Sequence, residues 1–550
     1  MKKLISVSLA LFILVSSLTF VNAFAYEFED EEYNKNITYK YDKQNNILTF
    51  EGEGKLTTSV DMQEGGCKLL NYNDWDEYSK KIEKVVIGEG ITEIGIGAFW
   101  RFSQLKTVVL PKTLKAIDDF VFYECYNLEN IDLSDSVTAI GKEAFRSCRK
   151  LSKIYLGENL SKLGENNFLD CKNLNYIELS NQNKNFVLSD NGLYTANLKT
   201  LIYVNKNATS FKIDKNCTRI KRFAFNLSSV KKLNIPNTVK KVEGGAFYNS
   251  NIEHIAFSKK STIKWLYDSA TFYGDEIGER FGVFEKSKKL KTLGLPRTLK
   301  NIDCCMFLNC KSLTKVYLGE NVKRIYGTSF IGCKNLKKIN LSKKNKNYKI
   351  YKNILYSKDF KTLVAVPAKL TKAKINSKTT TIGKYSFSSS KIKTVTIPKK
   401  VETIEYGAFY NCRNLKNVKF EKGSKLKLIG EPSDYSTSID IGYEDYKKDD
   451  FYNYEAFQNC NKLKEVILPD SVVHMICAFS HCKNLKYIHF GKNFKGTNYW
   501  DENTVMFEVY GMNSLKKVSV SKSNKYFYTK NGKLYFKDSK TVAWKPKKKK

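Results

Sequence analysis

Apolar residues recur along this chain at a fixed spacing rather than in blocks. Phenylalanines fall at Phe99, Phe122, Phe145 and Phe168, each 23 residues after the last. Around each lies one pattern: Leu-x-x-Ile-x-Leu-Pro, a short polar gap, Val-x-x-Ile-Gly, then Ala-Phe-x-x-Cys. Leu128, Ile131, Leu133, Val137, Ile140, Gly141, Ala144, Phe145 and Cys148 make up one full unit. A unit this short cannot bury its own apolar face, so the pattern predicts the stacked turns of a solenoid sharing one core. Stretches such as 105–110, 151–156 and 313–318 are short, rich in β-formers and followed by a turn. They predict about fifteen strands between Ile82 and Leu515. Stacked in parallel, these give a curved sheet roughly 70 Å long on the concave face. The Ala-Phe-x-x-Cys segments are expected to form the convex face as short helical or 3-10 turns.

A longer period is superimposed. Phe122, Phe145, Phe168, Phe225 and Phe247 reappear 162 residues later as Phe284, Phe307, Phe330, Phe387 and Phe409. Within each copy the Phe spacing widens to 57 at an insertion, marked by Leu193-Tyr194 with Thr200-Leu201 and by Leu355-Tyr356 with Thr362-Leu363. A partial third copy reaches the same insertion at Leu534-Tyr535. The insertions have strand composition and predict small β-hairpins beside the main sheet. The expected organisation is a signal peptide over 1–25 and an N-terminal β-hairpin cap over 26–81. The solenoid would follow over 82–544, with modules near 122–283 and 284–445 and a partial module over 457–544, and a basic tail over 545–550.

The combination of Leu-x-x-Ile-x-Leu-Pro, Ser-Val-Thr-x-Ile-Gly, Ala-Phe-x-x-Cys and the Leu-Tyr insertion resembles the BspA-like leucine-rich repeat surface proteins, over about residues 40–544. The segment Asn46-Ile-Leu-Thr-Phe-Glu-Gly-Glu-Gly54, with Trp75 and Ile82 to Ile87, is similar to that family's N-terminal cap. A cap is physically needed, because the first repeat would otherwise expose its core. The resemblance implies a leucine-rich repeat solenoid that is exported and takes part in adhesion to host matrix proteins or to other cells.

The chain start reads as a leader. Lys2 and Lys3 precede an apolar run from Leu4 to Phe20, and Ala23-Phe-Ala25 offers a small-x-small cleavage pattern. Cleavage is expected after Ala25, leaving a secreted protein without a transmembrane segment. With no sorting motif or lipobox in view, it is expected to be released or held non-covalently on the wall.

Charge bears most directly on function. Lys plus Arg total 93 against 56 Asp plus Glu, a formal net charge of +37. Outward strand positions hold Lys153, Tyr155, Lys315, Tyr317, Lys337, Lys338, Lys393 and Lys416, with Lys464, Lys486 and Lys516 further on. Acids there are fewer: Glu129, Asp132, Glu178, Glu253 and Glu465. A basic concave sheet with interspersed Tyr predicts binding of a protein partner, a host matrix or cell-surface protein, or of an anionic cell-wall polymer. Lys547, Lys548, Lys549 and Lys550 add a cationic end suited to the same polymer. Nucleic acid would suit the charge equally well, but export argues against it.

The sequence nominates no catalytic residue, metal or cofactor. Gly-x-Ser-x-Gly, Walker and paired-His motifs are all missing. Eight of thirteen cysteines follow the repeat Phe by three residues, a ladder position where a thiol acts as a small apolar group. Asn249 and Ser390 are assigned to the same slot in other repeats. Cys67, Cys304 and Cys305 lie off the ladder and are the candidates for exposed or reactive thiols. So many free thiols in an exported chain suit a reducing setting. His474, Cys477, His481, Cys482 and His489 imitate a zinc set in spacing, but the ladder and strand positions of Cys482 and His489 keep them apart. The stretch 421–453, rich in acids and Tyr, interrupts the repeats as a long loop.

Overall fold

The computed structural model describes residues 36–56, 79–266, 281–430, 455–476, 478–497 and 513–546, with the backbone of the strands Ser59–Asp61 and Gly66–Lys68. The leader and Lys547 to Lys550 lie outside the described residues. The chain is a parallel β-solenoid, and each turn has three walls.

The first wall is the predicted strand. Lys153–Leu156 and Lys315–Leu318 alternate outward and buried positions, with Ile154, Leu156, Val316 and Leu318 facing the core. Among the described residues fifteen such strands run from Lys84–Ile87 to Lys517–Val520. Neighbours pair in parallel, as in Lys315↔Lys338 and Tyr317↔Asn340. An antiparallel hairpin, Ile37–Asp42 with Ile47–Gly52, lies against the first of them.

The second wall was not predicted. The Val-x-x-Ile-Gly segments supply two-residue strands, Ala116–Ile117, Ala139–Ile140 and Lys162–Leu163, in a parallel ladder of their own. Two extended residues are too few for a period of two to show in sequence. The glycine that follows is set by crowding. A Cβ on Gly141 would stand 2.4 Å from the Asp119 nitrogen, and one on Gly164 2.3 Å from the Gly141 carbonyl carbon.

The third wall carries Ala-Phe-x-x-Cys, and here the expectation of short helical or 3-10 turns needs correction. Among the described residues one such segment, Gly327–Phe330, is 3-10. The others are turns whose N–H groups donate to the next turn, as Phe122 to the Ala144 carbonyl (2.8 Å) and Glu124 to the Arg146 carbonyl (2.9 Å). The cause is backbone handedness. Residues two before and two after the repeat Phe repeatedly take positive φ, for example Phe120 (59°), Glu124 (61°), Glu143 (56°) and Ser147 (65°). A left-handed residue ends a helical turn and aims its amide along the solenoid axis.

Inside this wall the phenylalanines stack. Ring centroids lie 5.5 Å apart for Phe99–Phe122 and Phe122–Phe145, and 4.6 Å apart for Phe387–Phe409 and Phe409–Phe457. The ladder thiols sit beside them. Each of the eight donates to the carbonyl of the Phe one turn back, as Cys125 to Phe99 (3.1 Å) and Cys412 to Phe387 (3.0 Å). Asn249 was assigned to this slot wrongly. It sits one residue earlier, left-handed at φ 53°, and the slot holds Ser250, hydrogen-bonded to Ser287, which donates to the Phe247 carbonyl (2.6 Å).

The Leu-Tyr insertions are three-stranded antiparallel meanders. Phe186–Ser189, Gly192–Thr195 and Thr200–Val204 form the first, and Tyr348–Tyr351, Ile354–Ser357 and Thr362–Ala365 the second. They lie beside the main sheet, where Asn353 donates through Nδ2 to the Lys337 carbonyl (2.9 Å), and they also join the short-strand wall, since Thr200–Val204 continues in parallel into Arg219–Ile220. The third meander, Phe527–Lys530, Lys533–Phe536 and Val542–Trp544, repeats the bulge of the other two at Leu534/Tyr535. Each meander turns on two left-handed residues, Asp190-Asn191, Lys352-Asn353 and Asn531-Gly532, the signature of a two-residue hairpin loop. The apolar core divides at the first two meanders into three consecutive stretches.

The predicted interruption over 421–453 begins later than expected. Leu428–Ile429 is a regular short-wall strand, paired with Thr403–Ile404 and His474–Met475. The acids from Glu431 onward lie outside the described residues, and Phe457 still stacks directly on Phe409.

Candidate binding face

Alternation leaves three outward columns on the long-strand wall. The first lies just before each strand, and backbone bonds at that position hold its register from turn to turn. Lys106 donates to the Glu83 carbonyl (2.7 Å), Glu129 to Lys106 (3.0 Å) and Lys291 to Glu253 (2.8 Å). Further along, Lys337 donates to Thr314 (2.9 Å), Lys416 to Lys393 (2.8 Å), Lys486 to Lys464 (2.8 Å) and Lys516 to Lys486 (3.0 Å). The second column contains Lys153, Tyr176, Lys315 and Lys338, and the third Tyr155, Glu178, Tyr317 and Asn340.

All eight sequence-nominated residues therefore lie on this wall. Lys153, Lys315, Tyr317, Lys337, Lys338, Lys393 and Lys416 are exposed, and Tyr155 is half-buried. Tyr155 donates its hydroxyl to Asp135 (2.9 Å), whereas Tyr317, its counterpart in the next module, is 48% exposed. Large apolar side chains also stand out here. Of the eight that are exposed among the described residues, Val109, Tyr176, Tyr317 and Ile467 occupy outward strand positions.

Charge compensation divides the wall in two, a division that the list of lysines in sequence does not reveal. Toward the N-terminus acids alternate with bases. Lys106 pairs with Glu83 (2.7 Å), Lys150 with Glu129 (3.6 Å), Lys153 with Glu178 (4.0 Å) and Lys291 with Glu253. Lys291 beside Glu253 holds that carboxyl below the usual carboxylate range. From Lys315 onward the pattern ends. Lys315, Lys337, Lys338, Lys393, Lys416, Lys464, Lys486 and Lys516 are exposed and make no ion pair among the described residues. In the turn that holds the second meander, Lys369 donates its backbone N–H to the Leu336 carbonyl (2.9 Å). Lys391 beside it holds the Lys369 ammonium below the usual lysine value.

The other chemistry-bearing groups are scattered. All eleven described cysteines are free. Burial pushes the thiols of Cys148 and Cys310 up, and those of Cys171, Cys333 and Cys412 to about 12, far from thiolate reactivity. Cys305 is not the exposed thiol expected. It is buried at the left-handed position before Phe307, and its hydrogen bond with Cys304, together with burial, raises its pKa well above the ordinary value. Cys304 is half-buried, and the side chain of Cys67 and all of Cys477 lie outside the described residues. His474 stands in the short-strand wall and His481 at a left-handed turn position. His489, on the long-strand wall, bonds Ser519 through Nδ1 (2.7 Å).

Short parallel strands, a stacked Phe spine and a polar, lysine-bearing strand wall define a leucine-rich repeat solenoid. Residues 77–191, 196–280, 276–372, 366–441 and 450–534 match the BspA type leucine rich repeat region, and the chain belongs to that family. It is similar to a leucine-rich repeat protein from Eubacterium ventriosum, at 18% identity and TM-score 0.47 over 71% of this chain and 91% of that one. A leucine rich cell surface protein from Faecalibacterium prausnitzii aligns at 17% identity and TM-score 0.36, covering 90% and 95%. The pneumococcal vaccine antigen PcpA aligns at 15% and 0.35, covering 83% and 94%. No curated protein matches. Among the described residues no helix is long and apolar enough to cross a membrane.

Proposed function

We propose that the chain is an exported, non-catalytic binding protein that recognises a protein partner, a host matrix or cell-surface protein, through its long-strand wall. The observation that carries this is the placement of Val109, Tyr176, Tyr317 and Ile467. These large side chains are left exposed on a regular wall whose other outward positions are mostly polar. Exposed aromatic and aliphatic groups set among charges are the usual anchors of a protein interface, with the surrounding charges giving specificity and on-rate. Membership of a leucine-rich repeat family, whose members typically bind proteins, supports the same reading. The signal peptide, secretion and adhesion follow from the leader and the family resemblance and belong to this proposal.

The test is binding of residues 26–550 to immobilised host-matrix proteins across a salt series. Saturable binding that survives physiological salt and falls at least tenfold in Tyr317→Ala is expected. Anchors of this kind cost about 2 kcal/mol or more when truncated. Binding to no protein, or binding indifferent to Tyr317, would remove this reading.

A further inference from the structure

The uncompensated half of the wall is a separate feature from the exposed anchors. Stacked turns repeat at ~4.8 Å, so ammonium groups in one column repel their neighbours by roughly 0.9 kcal/mol each even in water-like dielectric. Toward the N-terminus Glu83, Glu129 and Glu253 relieve that repulsion. Toward the C-terminus nothing among the described residues does. In the turn of the second meander Lys369 stands beside Lys391 rather than in line with Lys337 and Lys393, so the column skips one turn there while the wall stays basic.

We propose that Lys337, Lys393, Lys416, Lys464, Lys486 and Lys516 form a binding track for a linear phosphodiester polymer lying along the solenoid axis. Three physical features select that ligand. Spanning six turn-to-turn steps, the track is roughly 30 Å long and one residue wide, so an extended chain meets every ammonium, while a small anion meets one or two. Every position is Lys and none is Arg. A compact ammonium meets single anionic groups along a polymer as a point charge, whereas Arg is favoured where a carboxylate or a phosphate is gripped through two bonds. No track position from Lys337 to Lys516 is acidic, and the acid in the neighbouring column, Glu465, makes no ion pair among the described residues, whereas a mixed-charge protein surface would require acids for its own bases. This inference does not depend on the protein-binding reading, because its ligand and its residues are tested without any protein partner.

The experiment titrates the full chain with glycerol phosphate oligomers of graded length, with inorganic phosphate, a sulfated glycan and poly-glutamate as comparisons, at several salt concentrations. Affinity should climb steeply with oligomer length until the chain spans about 30 Å and then level off. Replacing the six track lysines by Gln should weaken the long oligomer at least tenfold at low salt and flatten the salt dependence. Replacing Lys84, Lys106, Lys150, Lys231, Lys232 and Lys291 by Gln removes the same charge from the N-terminal half, where Lys106, Lys150 and Lys291 are ion-paired, and should change affinity less than twofold. Removing residues 547–550 should leave the length dependence in place. If the sixfold variant fails to fold by circular dichroism, Lys464→Gln, Lys486→Gln and Lys516→Gln together should give an intermediate loss. Equal losses from the two sixfold variants would reduce the effect to net charge and overturn the track. So would the absence of a length dependence, or tighter binding of the sulfated glycan or poly-glutamate at matched charge.

Discussion

Glu455 shows how a single side chain is held at odds with its environment in the wall of turns. It is buried, accepts the Ser480 backbone N–H, and burial pushes its carboxyl up to about 7 from an ordinary 4.5. The folded state therefore holds a proton that the unfolded chain releases between about pH 4.5 and 7. Stability contributed at this position is present below pH 4.5 and lost as pH rises through 7. Glu455→Gln should match the parent at pH 4.5 and resist urea better at pH 8; a variant that is weaker at both would show that the carboxylate is needed. Other single residues were easier to read. The ladder cysteines follow from spacing alone, because a buried slot repeated every turn has one chemistry. Cys305 was misread because its neighbour Cys304 disguised a repeat position as an exception.

At the scale of the element, the meanders depend on one asparagine each. Asn345 donates through Nδ2 to the carbonyls of Gly319 (2.9 Å) and Val322 (3.0 Å), while its Oδ1 accepts from the backbone of Asn347 and Tyr348 (both 2.9 Å). Asn524 repeats this set with Gly491, Phe494, Tyr526 and Phe527, and Asn183 with Gly157, Leu160, Asn185 and Phe186. Each closes the last regular turn and starts the hairpin. Asn345→Ala would strand several buried backbone groups at about 1–3 kcal/mol each, so a loss of at least ~3 kcal/mol is expected. Hydrogen exchange should show that loss confined to the second meander and its adjoining turns, whereas unchanged protection there would refute it. These asparagines were invisible in sequence because each occurs once per module, outside the 23-residue period. The short-strand wall was missed for a related reason, its strands being two residues long.

Across the whole molecule the three core stretches touch end to end, and the Phe stack breaks where the meanders interrupt it. Phe168 packs edge-on against Tyr203 (5.3 Å) instead of stacking on Phe225. A solenoid holds together through nearest-neighbour interfaces, so such breaks are where cooperativity should fail. Chains keeping only Trp100, Trp265 or Trp544 each report on one stretch and should show distinct urea midpoints; a single shared midpoint would mean one cooperative unit. The sequence by itself determined the solenoid, its period, the strand positions and the lysines of the outer wall, because a repeated unit writes its buried and exposed positions into spacing. Only the tertiary structure decided how those lysines are compensated. Ion pairs such as Lys106–Glu83 and Lys291–Glu253 join residues 23 and 38 apart, and whether an acid stands one turn away is a property of stacking, not of any local pattern.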